Sequence, residues 1–146
     1  MRVLALDLGS RRIGVATCDA GGTLASPRTV LDRTGDVGRD HVRIAALVAE
    51  EEAELVLVGL PLSLDGSDGP AAASARAEAA ALATALSVPI VLHDERLTTV
   101  TAHRLLAERG LDSRARRKVV DQAAAAVMLQ AWLDGGGIEA ATKGEA

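Results

Sequence analysis

The sequence predicts an α/β fold on a mixed five-stranded sheet, its first three strands antiparallel and its later strands parallel, flanked by helices. Three observations predict it. Apolar runs at 2–8 and 13–19 are joined by the tight connection "GSRR", so they pair antiparallel. "AGG" at 20–22 then turns the chain into a third run near 23–31, which completes a meander. Beyond it, helix and short strand alternate twice, the pattern of parallel pairing through crossovers.

Each later element has its own signal. Residues 37–53 carry Val42, Ala45, Ala46 and Ala49 at helical spacing, and the short apolar strand "LVLVG" follows at 55–59. "LPLSLDGSDGP", at 60–70, is a loop of turn formers leaving that strand's carboxyl end, with glycines that let backbone N–H groups approach a phosphate and close on substrate. An alanine-rich helix at about 71–86 leads to "PIVLHDE", where Pro89 is tolerated as a strand's first residue. Helices at 99–109 and 115–133 are separated by "GLDS", with Gly110 as the stop signal. Residues 1–134 are expected to form one domain, and the tail "GGGIEAATKGEA" at 135–146 is expected to be disordered.

Composition narrows the function. The chain of 146 residues is 49% hydrophobic, yet Trp132 is its only aromatic, so aliphatic side chains and alanine must build the core. Recognition of nucleic acid by rows of stacking aromatics is thereby disfavoured. Cys18 is the only cysteine and no charged, apolar leader opens the sequence, so a reducing, cytoplasmic setting is the expectation. No apolar run approaches the ~18 residues of a membrane span. The net charge of −4 argues against wholesale phosphate binding, but the charges are unevenly spread. Arg11 and Arg12 follow the first strand, "RARRK" occupies 114–118, and "EEEAE" at 50–54 concentrates acid.

Asp7 poses the sharpest question, because it is the one acid in "LALDLGSRRIGVA", residues 4–16, whose Leu, Ala, Ile and Val otherwise read as buried strand. A carboxylate there needs hydrogen bonds, a cation or a metal. Two further places set acids against apolar surroundings. Asp94 and Glu95 end a strand at the carboxyl edge, where open α/β sheets bind ligands, and alternation sends only one of them toward a shared site without saying which. Asp121 projects within about 20° of Met128 and Trp132 on the last helix, its apolar stripe. Arg117 and Lys118, one turn earlier, offer Asp121 an internal salt bridge as the competing explanation. Against it, Arg114, Arg116, Arg117 and Lys118 crowd the helix's first turn, where the macrodipole disfavours cations and an anion such as a phosphate backbone would favour them.

Three acids converging where sheet meets helix would repel one another unless a hard divalent cation, Mg²⁺ or Mn²⁺, bound their oxygens. Such ions activate water and stabilise the leaving oxygen in phosphodiester cleavage. His41, His93 and His103 lack zinc-protease spacing, and no serine nucleophile elbow occurs.

The chain resembles the YqgF (RuvX-like) proteins, small bacterial members of the ribonuclease H-like superfamily described as pre-16S rRNA nucleases and, formerly, as Holliday junction resolvases. The resemblance spans about 1–134 and rests on "ALDLGSRRIGVA", "VGLPLSLDGS", "HDERLTTVTA" and "KVVDQAAAAVMLQAWL". It implies a ribonuclease H-like fold, an acidic triad of Asp7, Glu95 and Asp121, a glycine-rich loop at "GLPLSLDG", and Arg96, Thr98 and Thr99 around the site. With Arg11, Arg12, Arg96, Arg114, Arg117 and Lys118 as the nucleic-acid-binding set, the expected activity is metal-dependent cleavage of RNA, at the 5′ end of pre-16S rRNA, by a monomer or homodimer. Resolution of branched, four-way DNA is the alternative, and a non-catalytic nucleic-acid-binding protein is the alternative of another class. One departure is "AEAAALATAL", where the family pattern has a phenylalanine, which touches packing rather than chemistry. Sugar kinases and actin-like ATPases share the D-x-G opening but need two such domains, and "GSRRIG" lacks a Walker G-K-[ST].

Overall fold

A computed structural model describes residues 1–63, 65–94 and 113–144, with the side chains of 113–122 left out. Strands β1 (Val3–Leu8), β2 (Arg12–Cys18) and β3 (Ala25–Asp32) form the expected meander, and helix α1 (Val37–Glu50) leads to β4 (Leu55–Leu60). Helix α2 (Pro70–Ala83) leads to β5 (Ile90–Asp94), and the long helix α3 (Ser113–Asp134) precedes a short α4 (Gly137–Thr142). The helix expected at 99–109 lies outside the described residues.

The sheet order is β3-β2-β1-β4-β5. β1 pairs antiparallel with β2 and parallel with β4, and β4 pairs parallel with β5, so the mixed sheet is as the sequence predicts. The β2–β3 register slips between Val15 and Ala16, which pair with Thr29 and Pro27 and leave Arg28 as the extra residue of a bulge. Arg28 turns its guanidinium to Glu50 and Glu51, and Pro27 is accommodated on an edge strand.

Strand alternation divides the core in two. Leu4, Leu6, Ile13, Val15, Val56 and Val58 face Ile44, Leu47 and Val48 of α1 and Ala79 and Leu82 of α2. Val3, Ala5, Ala16, Cys18, Leu55 and Leu57 face Ala125, Met128, Leu129 and Trp132 of α3. The alanine helix α2 buries Ala72, Ala75, Ala79 and Leu82.

Two expectations are corrected. The buried stripe of α1 is Asp40, His41, Ile44, Leu47 and Val48, whereas Val42 is 67% exposed. The helix turns its larger aliphatics, Ile44, Leu47 and Val48, into the core, and Asp40 and His41 share that face. The tail is also partly helical rather than disordered: Ile138 of α4 packs into the α3-side core against Gly22, where a Cβ would stand 2.4 Å from the Ile138 Cδ1.

Candidate active site

Asp7 lies in β1 near its carboxyl end and shares the face of Val3 and Ala5, the α3 side of the sheet. It is half-buried. Its cross-strand partner is Gly14, and the next residue of β4 after the Leu6–Val58 pair is Gly59, itself paired with His93. A row Gly14–Asp7–Gly59–His93 therefore crosses the sheet, with a glycine on each side of the carboxylate. Burial holds the half-buried His93 below its ordinary pKa against the opposing pull of Asp94.

The strand that ends in Asp94 carries Ile90 toward α1 and α2 and Val91 toward α3. Alternation sets Asp94 on the Ile90 face, opposite Asp7. Glu95 and Arg96 lie outside the described residues, as do the side chains of Arg114, Arg117, Lys118 and Asp121. The backbone of 121 belongs to α3, whose Met128 and Trp132 are buried under the sheet as the helical phase predicts.

After β1 the chain turns back through Gly9, Ser10 and Arg11. Gly9 N–H donates to the Asp7 carbonyl at 3.1 Å, and a Cβ on Gly9 would stand 2.6 Å from the Arg12 carbonyl oxygen, so only glycine fits. Arg11 is exposed on this turn, and Arg12 is half-buried and engaged within the protein. The loop after β4 closes on itself: Gly66, at φ 86°, donates to the Ser63 carbonyl, and Asp65 accepts the Ser67 N–H and hydroxyl.

Behind the turn, on the α1–α2 side, is a cleft of about 430 Å³ lined by Gly9, Ser10, Arg33, Asp40, Ser74 and Glu78. Its charged wall went unnoticed in the sequence. Arg33 grips Glu78 with two hydrogen bonds of 2.8 Å, and Glu78 also contacts the His41 Nε2 at 2.9 Å. Burial pushes the Glu78 carboxyl up, but the hydrogen bonds from Arg33 and His41 outweigh it and hold it below the ordinary glutamate value. Burial likewise opposes ionisation of Asp40, and the Thr34 N–H and hydroxyl together with Arg33 and Arg43 overcome it. The detectable signal was the one that exposed Asp7: Asp40, Ile44, Leu47 and Val48 share one helical face, with an acid on it.

Among the described residues no group of three histidines, cysteines or acids could hold a metal ion, so Asp7 would need carboxylates from outside them.

The fold and the half-buried acid at its carboxyl edge define the class, a ribonuclease H-like α/β domain of the kind found in junction resolvases. Thermus thermophilus RuvC, solved with a Holliday junction substrate, superposes with a TM-score of 0.58 over 93% of this chain and 96% of its own, at 18% identity. The yeast mitochondrial Holliday junction resolvase Ydc2 gives 0.52 over 90% of this chain and 77% of its own, at 12% identity. Within that class, the chain belongs to the RuvX family, whose model, described as a Holliday junction resolvase, matches residues 1–135. Relatives from Kineococcus radiotolerans (48% identical; 90% of this chain, 70% of the relative), Streptomyces coelicolor (48%; 99% and 86%) and Thermoanaerobacter pseudethanolicus (42%; 92% and 96%) each carry the name "Putative pre-16S rRNA nuclease".

Proposed function

We propose that this protein is a divalent-metal-dependent nuclease that hydrolyses phosphodiester bonds in RNA, with pre-16S rRNA as its substrate. The observation that carries the proposal is Asp7: a half-buried carboxylate at the sheet's carboxyl edge, facing α3 and flanked by two glycines. Family membership supports the chemistry, and the names of the relatives support the choice of RNA.

Asp7, Glu95 and Asp121 would hold the ion. Three carboxylates are oxygen donors suited to a hard cation, and Mg²⁺ or Mn²⁺ fits such a set better than zinc. Bound there, the ion supplies an activated water and neutralises charge on the cleaved phosphate. The rest belongs to the chain. Gly14 and Gly59 put no side chain beside Asp7, and the exposed Arg11 can meet the substrate's backbone at the turn. Arg12, Arg96, Arg114, Arg117 and Lys118 complete the basic set that offsets a net charge of −4. No described helix is long and apolar enough to cross a membrane.

The family description favours a second reading, cleavage of four-way DNA, which takes two sites about a two-fold axis and therefore a homodimer. A monomer suffices for trimming an RNA end. Precursor 16S rRNA, unrelated single-stranded RNA and a four-way DNA junction, compared side by side with Mg²⁺ and with Mn²⁺, separate the readings. Preferential cleavage of the precursor at its 5′ end is the expected result. Symmetric nicking of the junction by a dimer, with the RNAs intact, would overturn it.

A further inference from the structure

The buried charges behind the turn do not touch the face that carries Asp7, yet they grip the backbone next to it. Arg33 follows β3 directly and holds the turn at two carbonyls. Its backbone N–H donates to Arg11 O at 2.9 Å and its Nε donates to Gly9 O at 2.8 Å. Its two terminal nitrogens are committed to Glu78 of α2, each at 2.8 Å, with both side chains nearly buried. Asp40 stands 3.7 Å from the Arg33 Nη1, and its Oδ2 is buried without a hydrogen-bond partner, so on that side it acts on Arg33 through its charge alone.

An ionic set of this kind adds little net stability over apolar residues of equal volume. It does fix geometry. A guanidinium presents five donors in a rigid plane, so one side chain can span Gly9 and Glu78 at once, whereas a lysine ammonium would reach one or the other. α2 begins at Pro70, immediately after the loop of 61–69 that follows β4. Arg33 thus ties the turn beside Asp7 to the helix that anchors that loop.

We infer that Arg33 is a positioning residue of the nuclease: braced by Glu78, it fixes the Gly9–Arg12 turn, and with it the end of β1 and Arg11, relative to α2 and the loop that precedes it. The inference rests on the nuclease reading. The obvious alternative is a purely structural ion pair, which would alter melting but leave turnover in the folded protein unchanged.

The test compares the parent with Arg33→Lys and Glu78→Gln, well below each variant's melting temperature. It reads kcat and KM on precursor RNA, and hydrogen exchange at the Gly9 and Arg33 amides, which needs no activity. Both variants should lose at least tenfold in kcat with KM changed less than threefold, and both amides should exchange at least tenfold faster. Parent kcat in either folded variant, or parent exchange rates at both amides, overturns the assignment. A parent protein that cleaves nothing overturns the nuclease reading instead, and the exchange rates then still report whether Arg33 holds the turn.

Discussion

Replacing Glu78 by Gln isolates the electrostatic content of the buried network, because shape and helix propensity are nearly kept. In the parent, Glu78 receives both terminal nitrogens of Arg33 at 2.8 Å and contacts His41 at 2.9 Å, with Glu78 and Arg33 side chains 13% and 14% exposed. Removing one partner of a buried pair costs about 3–5 kcal/mol. Asp40 remains 3.7 Å from Arg33 and compensates in part, so the lower end applies, about 3 kcal/mol. For a domain of this size that is a fall of roughly 6–12 °C in Tm, or about 1.5 M in urea midpoint at a slope near 2 kcal/mol/M. The pH dependence fixes the sign. Glu78 has a depressed pKa in the folded protein, so its contribution is fully present above the unfolded glutamate value and is lost as pH falls through the folded one. The gap between parent and variant should be widest above about pH 5 and narrow below about pH 4. Urea unfolding followed by circular dichroism from pH 3 to 7 measures it. A variant within 2 °C of the parent at pH 7, or a gap that widens toward acid, would refute the reasoning.

Three further outcomes are expected. Gly137→Ala sets a Cβ 2.2 Å from the Trp132 ring, so about 1–3 kcal/mol of stability should be lost, with a red shift in the emission of this single tryptophan; unchanged emission and melting would contradict the packing of α4. Glu95→Gln should be nearly inactive and Asp94→Asn should lose less, since Asp94 lies on the sheet face opposite Asp7, and cleavage assays showing the reverse order would overturn that choice. Arg114→Ala, Arg117→Ala and Lys118→Ala should each weaken substrate binding across sequences and lower the log-log salt slope by roughly 0.7–0.9, and parent slopes in all three would move the substrate path elsewhere.

Much of this was legible because it was local. "GSRR" and "AGG" force the meander, and Met128 and Trp132 reveal the buried face of α3 by phase alone. Asp7 stood out because its neighbours are all apolar. The network around Glu78 did not, because it is joined across the chain: Glu78 lies 37 residues from His41, and Arg33 reaches it across 45. The spacing of Val42 with the alanines suggested the wrong face of α1, and the larger Ile44, Leu47 and Val48 set the buried one. The tail failed for a related reason. Six residues make no stable helix by propensity, and α4 exists through the seating of Ile138 against Gly22 and of Gly137 beneath Trp132.

The central claim is that Asp7 holds the metal at which RNA is cut. Its most direct measurement is cleavage of precursor 16S rRNA by Asp7→Asn, titrated with Mg²⁺ and Mn²⁺ beside the parent, with thermal melting in metal-free buffer. Groups that merely orient metal ligands are worth 10–100-fold, so loss of a ligand should cost more than about a hundredfold in activity. Removing one charge from a carboxylate cluster relieves repulsion, so the melting temperature should hold or rise. Near-parent, metal-dependent cleavage by the folded variant would contradict the account.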